Sequence, residues 1–368
     1  MNKKLLATAV GLVLAGGMGL ASADVRLYGQ IDVSIDAYDQ DHIDVNGVRV
    51  AEGGDDVNMR SNTSAIGVKG SEDLGNGMEA FFKVEYQADI VDGGAWTGRD
   101  QYIGLGHEVV GKLAFGTMST AYKAQAAKID PFYRTSLQAR DGRVGLQSAL
   151  HSGKGEEGQG RATNTVGYSS PNWGGFGLLA TYTLDSDEND GPPGAGGVPA
   201  ATKEDDDPWS VGASFSGLGG LYAFVSYVTT NSSGDDDATQ IGAQYTMGAF
   251  EVHGIYEMDG GLITLRQYGS SEFNTGTGNS TTSGSGDGAD VWSVGGSFTI
   301  GNNVIGADYG QSDEAADPTV LNDDYKSWRV GAYHKFSERT RVYVGYAGAD
   351  RSDLDDVSLF SVGARHNF

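Results

Sequence analysis

Between Met118 and Leu150 five basic side chains, Lys123, Lys128, Arg134, Arg140 and Arg143, meet only two acids, Asp130 and Asp141. That surplus of three stands out in a chain with 25 basic and 49 acidic residues and a formal net charge of −24. Such groups do not break bonds alone. They act on ions through their field, most strongly where low-dielectric walls focus it. Residues suited to covalent chemistry are sparse. The chain has no Cys, which removes disulfides, thiolate metal sites and cysteine nucleophiles together. No G-x-S-x-G occurs, and the histidines at 42, 107, 151, 253, 334 and 366 lack paired spacing. A nucleophile with a base beside it is therefore not expected, and the chain is not read as an enzyme. Asp185, Asp187 and Asn189 imitate the start of a calcium loop, but Gly191 falls one place late and no Glu stands at the twelfth position. No cofactor is expected, beyond divalent cations gathered by acidic loops. The acidity also argues against nucleic acid, whose phosphates need Lys and Arg to release counterions.

The elements that hold this basic island follow from periodicity. Residues 1–23 read as a cleaved export signal: Lys3 and Lys4 precede an uncharged run from Leu5 to Leu20, and Ala21-Ser22-Ala23 is an A-x-A site. The mature chain, 24–368, has no apolar run near the ~18 residues of a membrane helix. From Val25 to Tyr38 it alternates strictly. Val25, Leu27, Ile31, Val33 and Ile35 share one face, and Arg26, Gln30, Asp32 and Asp36 share the other, the period of a strand. A soluble sandwich would also alternate, so the number and spacing of segments decide. Strands are expected near 25–39, 59–70, 78–91, 99–107, 112–118, 162–169, 176–185, 208–216, 221–230, 238–247, 249–258, 289–300, 303–311, 325–336, 340–349 and 357–368. Their connections alternate between tight turns, such as Gly301-Asn302-Asn303, and long acidic loops, such as 185–207 and 259–288. Short turns at one end and long loops at the other are the asymmetry of an outer-membrane barrel. A propeller would show a fixed repeat, and none is present. The expected fold is all-β, a sixteen-stranded antiparallel transmembrane β-barrel, and sixteen strands leave an aqueous channel.

Several islands, taken in order, resemble the Gram-negative general-diffusion porins. They are Arg26-Leu27-Tyr28-Gly29-Gln30; Ile66-Gly67-Val68-Lys69-Gly70 running into Ser71-Glu72-Asp73-Leu74-Gly75-Asn76-Gly77; Tyr102-Ile103-Gly104-Leu105 with Gly111-Lys112-Leu113-Ala114-Phe115-Gly116; Tyr168-Ser169-Ser170-Pro171; and the terminal Phe368. The resemblance implies a homotrimer in the outer membrane, among lipid and lipopolysaccharide, passing small hydrophilic solutes passively. It implies that the barrel-assembly machinery reads Phe368, and that the third loop, which begins at Met118, folds into the lumen. It also implies a basic ladder facing acids on that loop. Its wall positions fall on Gln30, Ala65, Arg99 and Arg161, so two rungs are basic and two are not. The loop's Pro-Glu-Phe-Gly-type motif is replaced by Asp130-Pro131-Phe132-Tyr133-Arg134, which leaves Asp130 and Asp141 as candidate aperture acids and Arg134 and Arg140 as candidate bases.

Tyr122, Phe132 and Tyr133 read either as a sugar slide or as loop packing. The leading expectation is a general pore of weak ion selectivity that drifts toward anions as salt rises. The alternatives are a substrate-selective channel, or an exported acidic β-protein binding carbohydrate or cations.

Overall fold

The computed structural model describes residues 24–40, 43–45, 48–51, 54–94, 96–141, 144–152, 154–155, 160–184, 207–230, 237–260, 263, 290–313, 325–351 and 354–368. The export signal, Arg143, the calcium-like run at Asp185 and most of the acidic loop residues lie outside them.

Sixteen strands form one closed antiparallel sheet. β1 is Asp24–Gln40, and β2 runs in two pieces, Gly54–Ser61 and Ala65–Gly75. Then come β3 Met78–Gln87, β4 Thr97–His107, β5 Gly111–Ser119, β6 Arg161–Ser169, β7 Phe176–Thr183 and β8 Trp209–Gly217. The second half comprises β9 Leu221–Thr229, β10 Asp237–Met247, β11 Phe250–Gly260, β12 Val291–Ile300, β13 Asn303–Ser312, β14 Tyr325–Lys335, β15 Thr340–Arg351 and β16 Leu354–Asn367. Every strand pairs with its chain neighbour, and β16 returns to β1 in a ladder from Gln30↔Asn367 to Gln40↔Val357. Outside this ring, a small hairpin pairs Ile43–Val45 with Val48–Ala51.

Alternation sorts the side chains as expected. Val25, Leu27, Ile31 and Ile35 are exposed on the outside of β1, whereas Gln30, Asp32, Ser34 and Asp36 are buried on the lumenal side. The outer face is apolar because it meets hydrocarbon; the ladder satisfies every strand's backbone, which is what allows a sheet to cross a bilayer. Two aromatic girdles mark the interfaces. At the loop end Trp209 stacks near Tyr227, Trp292 near Tyr309 and Trp328 near Tyr346. At the turn end Phe176 meets Phe215 and Phe250 meets Phe298.

Three of the ladder's irregularities, on β2, β4 and β6, bear on the lumen. β2 starts five residues before the expected boundary and is interrupted at Asn62–Ser64, with Thr63 at φ 55°. The pairing with β1 shifts by one residue across that break, so parity changes: Arg60 is lumenal before it and Lys69 after it. On β4 the register shifts between Val84↔Gln101 and Tyr86↔Gly98, leaving Glu85 opposite both Arg99 and Asp100. A bulge of this kind re-aims side chains, and it turns two consecutive charges toward the lumen. On β6 the shift falls between Ala162 and Thr165, with Asn164 at φ 52°.

The seam between β1 and β16 is completed by the last residue. Phe368 N–H donates to Gly29 O at 3.0 Å and Gly29 N–H to Phe368 O at 3.1 Å. The Phe368 ring lies over Gly29, where an added Cβ would come within 2.5 Å of it. Deleting Phe368 is expected to reduce outer-membrane levels at least several-fold while leaving the conductance of the inserted fraction unchanged. Normal levels in membrane fractions from such a strain would refute this role.

Candidate functional site

The described residues of the third loop, within 120–160, lie inside the barrel. Its first turn is a short helix, α1 Ala121–Ala126, capped by Thr120, whose hydroxyl accepts from Lys123 N–H at 3.3 Å. Beyond α1 the loop hugs the wall and is held by several polar clasps, chief among them three. Glu257 of β11 is fully buried. It accepts from the Tyr122 hydroxyl at 2.8 Å, from Ser148 N–H at 3.0 Å and from the Ser148 hydroxyl at 2.5 Å, with His151 Nε2 at 3.2 Å. Arg329 of β14 pairs with Asp130 and with wall Asp308, each at 2.9 Å, and donates to the Leu137 carbonyl. At the far end the Ser136 hydroxyl donates to Asp36 at 2.5 Å and lies 2.9 Å from Asn62 Oδ1. Nearby, Arg365 of β16 pairs with Asp32 at 2.6 Å and donates to the carbonyls of Tyr133 and Arg134.

Apolar contacts fill the gaps between clasps. Phe132, Leu137 and Val144 pack with Ala347, Val357 and Leu359, and Ala126 and Ile129 pack with Phe224 and Ile255. Burying side chains of this size stabilises by about 1.5–3 kcal/mol each. Tyr122 and Phe132 are almost wholly buried, so of the two readings of the aromatic residues, packing describes these two.

On one side of the lumen, basic residues of the wall and of the loop come together. From the wall come Arg99 and Arg161; from the loop come Lys123, Arg134 and Arg140. Arg99 pairs with Glu85 at 2.5 Å and donates to Gln87 at 3.1 Å. Arg161 pairs with Asp100 at 2.8 Å, which also holds Lys83 at 2.8 Å. Arg134 reaches Glu85 at 3.6 Å and Gln30 at 3.3 Å. Lys123 and Arg140 are buried beside Arg99 and Arg161, and Arg140 Nη1 has no hydrogen-bond partner among the described residues. Six basic residues, counting Lys83, thus gather here, and four of them, Lys83, Arg99, Arg134 and Arg161, pair directly with two carboxylates, Glu85 and Asp100. Burial and the three neighbouring arginines hold the Lys123 ammonium well below its usual range. Burial would raise the Tyr133 phenol, but Arg140, Arg134 and Arg99 outweigh it and bring it down to about 8.

Of the residues singled out in the sequence, Arg99, Arg161, Arg134, Arg140 and Gln30 come together here. Ala65 sits directly across the ladder from Gln30. The two acids are engaged by other groups: both oxygens of Asp130 are taken by Arg329 and by the N–H groups of Phe132 and Ala139, and Asp141 pairs with Arg60 at 3.1 Å. Lys123, Lys83, Glu85 and Asp100 join the cluster without having been candidates. Strand parity marks Lys83 and Glu85 as lumenal, but the bulge hides Asp100.

The sequence matches the family described as Gram-negative porin over residues 7–354. It is 29% identical over 411 residues to an outer membrane porin protein of Bordetella pertussis and 27% identical over 422 residues to the major outer membrane protein P.IA of Neisseria meningitidis, each match spanning the whole of both chains. Among solved structures, an anion-selective porin from Comamonas acidovorans superposes with a TM-score of 0.69 at 18% identity, covering 94% of this chain and all of that one. OmpT of Vibrio cholerae in its trimer form gives 0.61 at 16% identity, covering 94% and 99%. The closed barrel, the lumenal third loop and these matches place the chain in the Gram-negative porin family, as an outer-membrane channel.

Proposed function

We propose that this porin is a passive homotrimeric pore whose aperture favours small anions. The single observation that carries the preference is the excess of cations over carboxylates at the third loop. Basic residues line both sides of the passage, while the loop's own acids are drawn to other parts of the wall. An ion in a constriction passes each fixed charge at contact range, whereas acidic loops at the mouth face bulk water and are screened within ~8 Å at physiological salt. Anion preference should therefore strengthen with salt. The trimer in the OmpT structure and the family relationship support the assembly state. The A-x-A site supports export with cleavage after Ala23. Lipopolysaccharide, the assembly machinery and divalent cations at the acidic loops complete the proposed surroundings. The reading is tested by the zero-current potential of the purified protein in a planar bilayer across a potassium chloride gradient; cation preference at 1 M-scale salt would overturn it.

The preference should also depend on pH. Tyr133 gains a negative charge as pH rises through about 8. That reduces the net positive charge, so chloride preference should fall between pH 7 and pH 9. In a Tyr133→Phe variant the part of the fall centred near pH 8 should vanish. An identical titration in both proteins would show that the phenol does not reach the passing ions.

A further inference from the structure

Below the aperture, on the turn side of the lumen, the wall carries a second cationic feature that the passage of chloride does not require. Arg26, Lys69 and Lys83 stand in direct register across β1, β2 and β3, all lumenal. Like charges placed opposite each other on adjacent strands destabilise a sheet. Arg26 is offset by Asp24, and Lys83 by Asp100 and Glu85. Lys69 has no carboxylate partner among the described residues; its Nζ lies 4.9 Å from the centre of the Tyr28 ring.

Aromatic rings accompany these cations. Phe81 and Tyr102 meet edge to face with centroids 6.2 Å apart, and Lys112 Nζ lies 5.2 Å over Phe81 while pairing with Glu79 at 2.6 Å. Apart from Tyr28 and Glu85, these groups line a recess of about 600 Å³ between the wall and the loop helix, opening to the lumen. That volume falls within the range of small-molecule sites. A sugar slide needs bare ring faces, and here Tyr28 and Phe81 each carry a cation over one face. The arrangement instead offers a ring edge and face beside an uncompensated ammonium.

We infer that this recess binds aromatic monocarboxylates, the carboxylate meeting Lys69 and the ring packing against Phe81 and Tyr102. This inference rests on the anion-preferring reading of the pore, since the ligand must enter a positively charged lumen. The site makes the channel selective within the class of anions: an aromatic acid dwells in the recess and occludes the passage, whereas acetate passes freely.

The test is chloride current through single channels of the purified porin, titrated with sodium benzoate or sodium acetate at constant chloride. Benzoate should reduce the current saturably, with half-effect at roughly 1–10 mM, and acetate should not. Cyclohexanecarboxylate should need about fivefold more, because it lacks the ring's edge-to-face contribution. The double variant Phe81→Leu, Tyr102→Leu should raise the half-blocking benzoate concentration at least fivefold with unchanged chloride conductance, and Lys69→Gln should raise the half-blocking concentrations of benzoate and cyclohexanecarboxylate alike. Equal effects of benzoate and acetate on the native protein would overturn the inference whether or not the variants fold. The chloride preference measured in the same membranes judges the underlying reading separately.

Discussion

Replacing Arg99 and Arg161 together with Gln should abolish chloride preference at 1 M-scale salt and move the zero-current potential toward cations. A unit charge 4 Å from a passing ion contributes about 1 kcal/mol even with the dielectric of water, close to a fivefold bias, and a focused field only enlarges it. Losing two such charges, about 2 kcal/mol together, should change the chloride-to-potassium permeability ratio by about 25-fold. The fold should tolerate the change. Glu85 keeps Lys83 at 3.4 Å and Arg134 at 3.6 Å, and Asp100 keeps Lys83 at 2.8 Å, so neither carboxylate is stranded. An unchanged potential in a correctly assembled double variant would mean that these arginines do not line the aperture. The single variants should each give about half the shift.

Arg329→Met is expected to release the third loop. One guanidinium joins loop Asp130, wall Asp308 and the Leu137 carbonyl, and it is buried among them. Removing one partner of a buried ion pair costs about 3–5 kcal/mol, because the charges left behind have no solvent. Here two carboxylates are left. Asp308 retains His253 Nε2 at 2.6 Å, and Asp130 retains two backbone N–H groups, which softens the loss without cancelling it. The strand ladders do not pass through Arg329's side chain, so the barrel should still assemble. Single-channel records should then show larger, noisier current steps, with conductance up by about half or more. Arg329→Lys, which keeps the charge but not the fork geometry, should lie between. Quiet channels of native conductance in the Met variant would show that the remaining clasps suffice.

Most of the fold is legible because a membrane barrel writes its two environments into alternate residues. Val25 to Tyr38 alternates through β1 without interruption, and most strand ends fall within three residues of those expected. The reading fails where the chain itself breaks the period. Thr63 inserts a parity change into β2, and nothing in the identity of that residue announces it. Opposite Glu85, Arg99 and Asp100 both turn inward, so one of them must look misplaced to any alternation rule. The loop is legible in part. Its basic excess and its lack of periodicity mark it, and Arg134 and Arg140 join the wall arginines as composition suggests. Its acids do not follow, because their partners, Arg329 and Arg60, lie in distant strands where one lumenal arginine resembles another. Glu257 is hidden for the same reason: a buried carboxylate that fastens the loop looks in sequence like a wet lumenal one.

The seam between β1 and β16 also has a kinetic consequence. It joins groups as far apart as Asp32 and Arg365, separated by 333 residues. Every other strand pairs with its immediate successor and can form as soon as that successor is available. The closing pair cannot, and until it forms the growing sheet has two open edges with unpaired backbone, each a template for association with another chain. Contacts of such long sequence separation form slowly, since loop entropy is lost before any stabilisation is gained. The exported chain therefore has a vulnerable interval between secretion and closure, whose length is set by one pair of strands. A solubilising escort in the periplasm and a template that holds both edges would shorten it, and the fully closed ring, once made, presents no edge from which unfolding can begin.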